Sequence, residues 1–139
     1  MSKEYYVLKG DVIEMAKDVA ARYIRKGLEY IAEELEMPFS SVFLGWYAMR
    51  NTDTFKFEDL VASYLEEKRE PLRLKDLLVL LREAVAFECA ALYFLIRGRD
   101  AESEMLKEKQ LQIDKYFCRQ DIVNEILEIV ADYSEKIRR

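Results

Sequence analysis

Only two prolines and four glycines punctuate this chain of 139 residues. Tight turns and hairpins draw on glycine, proline and asparagine for their backbone geometry, so a chain this poor in them closes few hairpins. What remains is a set of long uninterrupted segments, and in these the apolar residues recur at intervals of three and four, the helical period. The fold class this predicts is all-α, a helical bundle. Chains of about 150 residues bury roughly two thirds of their unfolded surface. A single domain spanning 1–139, with its own core and no need of disulfides or metal, is therefore expected.

The first helix is expected to start at Asp11, which has capping-box spacing to Glu14. Val12, Ile13, Ala16, Val19, Ala20, Tyr23, Ile24, Leu28, Ile31 and Leu35 form its apolar stripe. Gly27 interrupts the stripe. In a helix interior glycine costs about 1 kcal/mol relative to alanine, so it is expected to mark a close helix crossing. Pro38 disfavours helical geometry at Met37 and ends this helix near Glu36. Pro38 also suits the opening of a short aromatic helix carrying Phe39, Val42, Phe43, Trp46, Tyr47 and Met49. Asn51, Thr52, Asp53 and Thr54 read as a turn and N-cap, followed by a helix over residues 55–69 that Pro71 stops. A long apolar helix is expected over 72–97, with Gly98 just past its end.

Residues 101–139 contain neither glycine nor proline. The first half is polar, with a narrow stripe of Met105, Leu106, Leu111, Ile113, Tyr116 and Phe117. In the second half Val123, Ile126, Val130, Tyr133 and Ile137 are spaced 3, 4, 3, 4, a heptad seam. Ile122, Leu127 and Ile129 widen that face. Two readings stay open: a core-facing amphipathic helix, or a dimer seam that relays a signal. The pattern runs on to Arg139 with no closing residue. The chain is therefore expected to be the N-terminal part of a longer protein, with a long C-terminal exit helix.

The 22 basic and 27 acidic residues give a net charge of -5, and the basic residues form no patch. This argues against nucleic acid as a partner, since such binding rests on a basic surface that displaces counterions. Residues 77–96 are the most apolar segment, but they carry Arg82, Glu83 and Glu88. Their longest stretch broken by a single charge, 84–96, is 13 residues. A membrane span needs about 20, so a buried core helix is expected. The polar start MSKEYYVLKGD has no apolar run of a signal peptide. Cys89 and Cys118 form no CxxC pair and read as reduced thiols in a cytoplasmic protein.

The sequence contains no histidine, the usual general base at neutral pH and a common metal ligand. There is no GxSxG, Walker loop or GxGxxG, and without an ExxH motif a di-iron carboxylate bundle is excluded. The pairs Glu33-Glu34, Glu66-Glu67 and Asp100/Glu104 read as solvated helix faces. No catalytic residue, metal site or cofactor is assigned, and an enzyme is not expected. Glu88 stands apart within AVAFECAALYFLI. A carboxylate there must reach solvent, pair with a cation or keep its proton. It is open to reading as a structural pair or as a polar contact in a ligand pocket. Such a pocket for a small apolar ligand would be lined by Phe43, Trp46, Tyr47, Phe87, Glu88 and Ala91. The alternative is that Phe39, Phe43, Trp46 and Tyr47 fill the core against Phe87, Tyr93 and Phe94.

The stretch QLQIDKYFCRQDIVNEILEIVADYSEK, residues 110–136, resembles the end of the N-terminal domain of RsbR-type stressosome scaffold proteins. In that family an Ile-Asp-basic-aromatic-Phe segment precedes a long exit helix. Gln112, Ile113, Asp114, Lys115, Tyr116 and Phe117 carry the likeness here, and LKDLLVLLREAVAFECAALYFLIRG resembles the family's central helix. The likeness covers residues 70–139, and residues 1–69 match in helix count and order. The resemblance implies a globin-like helical bundle without haem, homodimeric, ahead of a STAS domain in a cytoplasmic stressosome assembly. Its phosphorylation sites belong to the STAS part, so none transfers. Related non-haem globin domains serve sporulation histidine kinases, some holding a fatty acid.

Three functions follow as expectations. The first is a dimeric stress-sensing input or scaffold domain that relays through Val123, Ile126, Val130, Tyr133 and Ile137. The second is a fatty-acid-binding sensor, and the third a non-enzymatic helical adaptor.

Overall fold

A computed structural model of the chain describes residues 9–52, 74–98 and 102–138. These form five helices: α1 (Lys9–Leu35), α2 (Phe39–Thr52), α3 (Leu74–Ile96), α4 (Ser103–Phe117) and α5 (Gln120–Arg138). No strand occurs among the described residues, and the architecture is an all-α bundle. The helix expected over 55–69, Asp53 and Thr54 of the expected turn, Pro71, Glu66, Glu67 and Asp100 lie outside the described residues.

Helix α1 is the axis of the bundle and packs against each of the other four. Met15, Ala16, Val19, Ala20, Tyr23, Ile24, Leu28, Ile31 and Ala32 form its buried stripe. The helix begins two residues before Asp11, at Lys9. Asp11 therefore lies within the first turn and is not the expected cap. The other end closes with a Schellman motif. The Met37 N–H donates to Ala32 O at 2.9 Å and the Glu36 N–H to Glu33 O at 3.3 Å. Glu36 takes φ 53°, the left-handed position glycine usually fills. Gly98, with φ 67°, fills the equivalent position after α3, as the sequence indicates.

Gly27 sits where α1 meets both α3 and α4. A Cβ there would stand 2.4 Å from Cys89 Sγ and 3.2 Å from Phe117 Cζ. The missing side chain lets three helices converge, and the Phe117 ring meets that of Tyr23 at a 42° tilt with centroids 4.9 Å apart. Helix α3 supplies as many core side chains as α1: Leu77, Leu81, Val85, Ala86, Cys89, Ala90, Leu92, Tyr93 and Phe94 are buried.

Residues 101–139 have no glycine or proline to break them, yet the structure places two helices there. The chain turns at Cys118 and Arg119, whose N–H groups bond to Lys115 O and Tyr116 O in tight 3₁₀ fashion. With Phe117 wedged against α1, the helix axis must change direction for α5 to lie along α1. The stripe of α4 also differs from expectation. It runs through Lys109, Ile113 and Phe117, and Leu111, two residues out of phase, is exposed.

Two substitutions separate these effects. Overpacking a filled core costs about 1–3 kcal/mol, more than the roughly 1 kcal/mol of helix propensity that alanine gains over glycine. Gly27→Ala should therefore lower urea-derived stability by up to about 2 kcal/mol. Most of that loss should vanish in a Cys89→Ala background, because Sγ is the obstructing atom. Glu36→Gly should raise stability by about 0.5–1 kcal/mol by removing the Cβ that crowds the left-handed backbone at this position.

Candidate functional site

Two regions carry the residues singled out in the sequence: the contact of α2 with α3, and the packing of α5 on α1. Helix α2 turns Val42 into the core and lays Gly45 against Leu92 and Ile96 of α3, where its Cβ position is 3.6 Å from each. This close approach is set by small residues. The adjacent Trp46 spans the gap, its Nε1–H donating to Glu88 Oε1 at 3.1 Å. Glu88 is buried on α3, so the indole N–H meets a carboxylate inside the protein, where an unmet acceptor is costly. Beside it, burial, together with the charge of Glu88, pushes the Cys89 thiol far up. Cys89 is thus a neutral packing residue at pH 7, with no nucleophilic character.

Of the six residues expected around a pocket, the structure brings Trp46 and Glu88 into direct contact. Ala91 is partly buried, while Phe43, Tyr47 and Phe87 are exposed at the surface. The alternative of an aromatic core across α2 and α3 also meets a different arrangement. Tyr93 and Phe94 are buried and meet edge to face at 5.1 Å, whereas Phe39, Phe43 and Tyr47 stack along the outer side of α2. The physical reason is spacing. Val42, Gly45, Trp46 and Met49 face inward, which leaves 39, 43 and 47 on the outer flank.

On α5, Ile122, Ile126 and Val130 are buried within this chain, and Val123 and Tyr133 are partly buried. The side chain of Ile137 lies outside the described residues. Polar groups flank the seam. Glu125 receives Arg22 at 2.9 Å and Lys26 at 3.0 Å, and the Tyr133 hydroxyl donates to the Asp18 carboxylate. Asp18, Ala21, Arg22, Arg25 and Ile129 line an open cleft of about 360 Å³ between α1 and α5.

Three further polar ties were not foreseen. Arg82 of α3 donates to Asp114 of α4 at 2.7 Å. Lys109 of α4 reaches Glu34 of α1 at 2.8 Å while its ammonium stands 4.1 Å above the Tyr93 ring. Arg97 donates to the Tyr93 hydroxyl at 2.9 Å. The signal for Lys109 was available: it occupies a stripe position between Leu106 and Ile113, where a cation must find a partner. Burial pushes the Tyr23 hydroxyl up to about 12, opposed by nearby Arg82. Burial, helped by a hydrogen bond with Glu34, raises Tyr30 to about 12. Both stay neutral throughout the physiological range.

The motif that carries the resemblance acts here as a docking segment. Ile113 and Phe117 are buried, Asp114 holds Arg82, and the Tyr116 ring meets that of Tyr30 at a tilt, with centroids 5.0 Å apart. No helix among the described residues is long and apolar enough to cross a membrane, and none of them form a metal-binding cluster. No family model, curated protein or solved structure matches the chain.

The Trp46 contact has a measurable consequence. Trp46→Phe keeps an aromatic ring but removes the N–H from a buried carboxylate. It should lower stability by about 1–3 kcal/mol in urea unfolding. A loss below about 0.3 kcal/mol would show that the bond contributes nothing.

Proposed function

We propose that the chain is a non-enzymatic signal-input domain of the stressosome scaffold type. It is a globin-like bundle without haem that works as a cytoplasmic homodimer and passes its state through α5 to a STAS domain. The observation that carries this reading is the way α5 is attached. Three buried side chains, Ile122, Ile126 and Val130, form a narrow seam on α1. Around it sit ties that are partly solvated: Arg22 and Lys26 on Glu125, and Tyr133 on Asp18.

Such partly exposed ion pairs contribute about 0.2–1 kcal/mol each. Together the ties amount to a few kcal/mol, the range in which a ligand or partner with different affinity for two states shifts an equilibrium. An enzyme would instead concentrate titratable groups around a reacting atom. Here Arg82, Asp114, Lys109 and Glu34 are occupied in joining helices. The residues 110–136 that resemble the scaffold family are the same ones that dock α4 and launch α5.

A chimera tests this. The chain is joined through α5, in helical register, to a STAS domain of a stressosome scaffold deprived of its own input domain. Assembly and stress-dependent output are then measured. The expected result is a responsive chimera whose output shifts at least several-fold when Glu125→Ala and Tyr133→Phe loosen α5. Output identical with and without those changes would sink the relay.

A further inference from the structure

Between Phe39 and Met49, α2 has no charged residue, in a chain of which 35% is charged. Its inner side is spoken for by Val42, Gly45 and Trp46. Its outer side presents Phe39, Phe43, Leu44 and Tyr47, which are 40%, 42%, 65% and 55% exposed. The three rings form a continuous rail. Phe39 and Phe43 are stacked with centroids 6.3 Å apart and planes 27° apart, and Phe43 and Tyr47 at 6.5 Å and 23°. Large side chains of this kind carry about 150–250 Å² each, so the four leave on the order of 400 Å² of apolar surface in one strip. Monomeric proteins rarely expose a larger patch, and patches of this size are often interfaces.

We infer that this outer face of α2 is a two-fold interface with a second copy of the chain. Charge argues for a copy. Two chains of net charge -5 repel over most of their surfaces, and an uncharged helix lets them meet without placing like charges together. A partner chosen by its charge would find nothing to pair with on this strip. Area argues the same way. Homodimer interfaces are about 65% apolar, so roughly 400 Å² of apolar surface implies about 600 Å² per copy. The total of about 1,200 Å² lies at the lower edge of the range of specific interfaces, about 1,200–2,000 Å². A ring rail along one helix is also self-complementary when two copies of α2 cross about a two-fold axis. The inference rests on the dimeric reading above but places the contact on α2. On α5, Ile126 and Val130 are already used inside the chain.

Trp46 is the sole tryptophan of the protein, it lies on α2, and its ring is 5.9 Å from that of Phe43. Its emission therefore reports on this face. The experiment is sedimentation equilibrium of the full chain under reducing conditions, with Trp46 fluorescence followed on dilution. Wild type should be dimeric at high micromolar concentration, with an emission shift that tracks dissociation. Leu44→Glu and Tyr47→Glu should each raise the dimer dissociation constant about a hundredfold or more, with the helical circular dichroism and urea midpoint unchanged. Leu127→Glu, on exposed α5, should leave the dimer intact.

A dimer that survives Leu44→Glu but is lost in Leu127→Glu overturns the α2 interface while leaving relay through α5 standing. Wild type that stays monomeric at several hundred micromolar overturns it as well. So does a monomer that floats with phosphatidylcholine vesicles until Leu44→Glu is introduced, because that result gives the strip to lipid.

Discussion

The architecture depends on one steric vacancy, the missing side chain at Gly27. Cys89 Sγ and Phe117 Cζ occupy the space where a Cβ would project, so α3 and α4 both approach α1 at the same level. With Phe117 inserted beside Tyr23, α4 can go no further in its own direction. The turn at Cys118 and Arg119 then lays α5 back along α1. The contact is expensive in helix propensity, about 1 kcal/mol for an interior glycine. It is offset by the close-packed core on all three helices, where even small volume changes are felt.

Around this apolar centre the polar residues determine which helices move together. Arg82 and Asp114 bind α3 to α4, and Lys109 binds α4 to α1 through Glu34. Lys109 is the best shielded of these groups, its ammonium lying over the Tyr93 ring. The ties of α5 to α1 are comparably placed, with Arg22 the most exposed member. Arg22, Lys26 and Glu125 all keep partial solvent access, which weakens such pairs.

Much of this was legible in the sequence, because the features concerned are local. Periodicity and proline place α1, and Pro38 accounts for its end. Gly98 marks the close of α3, and Gly27 announces a helix crossing. The surface of α2 was harder to read because its aromatic residues sit on two overlapping helical faces. Trp46 belongs to both. The decision falls to Val42 and Gly45, whose small size allows α2 to approach Leu92 and Ile96 closely, and that is a property of the neighbouring helix. The break at Cys118 carries no glycine or proline, since it is imposed by tertiary packing. The heptad seam of α5 shares Ile126, Val130 and Tyr133 with an ordinary core stripe beginning at Ile122. The two patterns differ by a single residue at Ile122 or Val123, too little to distinguish core from partner without the position of α1.

These same packing facts decide how a signal can travel. Helix α3 buries nine apolar side chains, whereas α5 buries Ile122, Ile126 and Val130. Local opening follows the elements with least buried apolar contact and most solvated ties, so among the described helices α5 can be displaced at far lower cost than α3. Helix α1 packs against both α2 and α5. In the proposed relay, an event at the uncharged face of α2 would reach α5 through this one continuous helix. It needs no chain of side-chain rearrangements across the core. Under the proposed relay, a shift of α1 would change the register of Arg22 and Lys26 against Glu125, the ion pairs that edge the seam of α5.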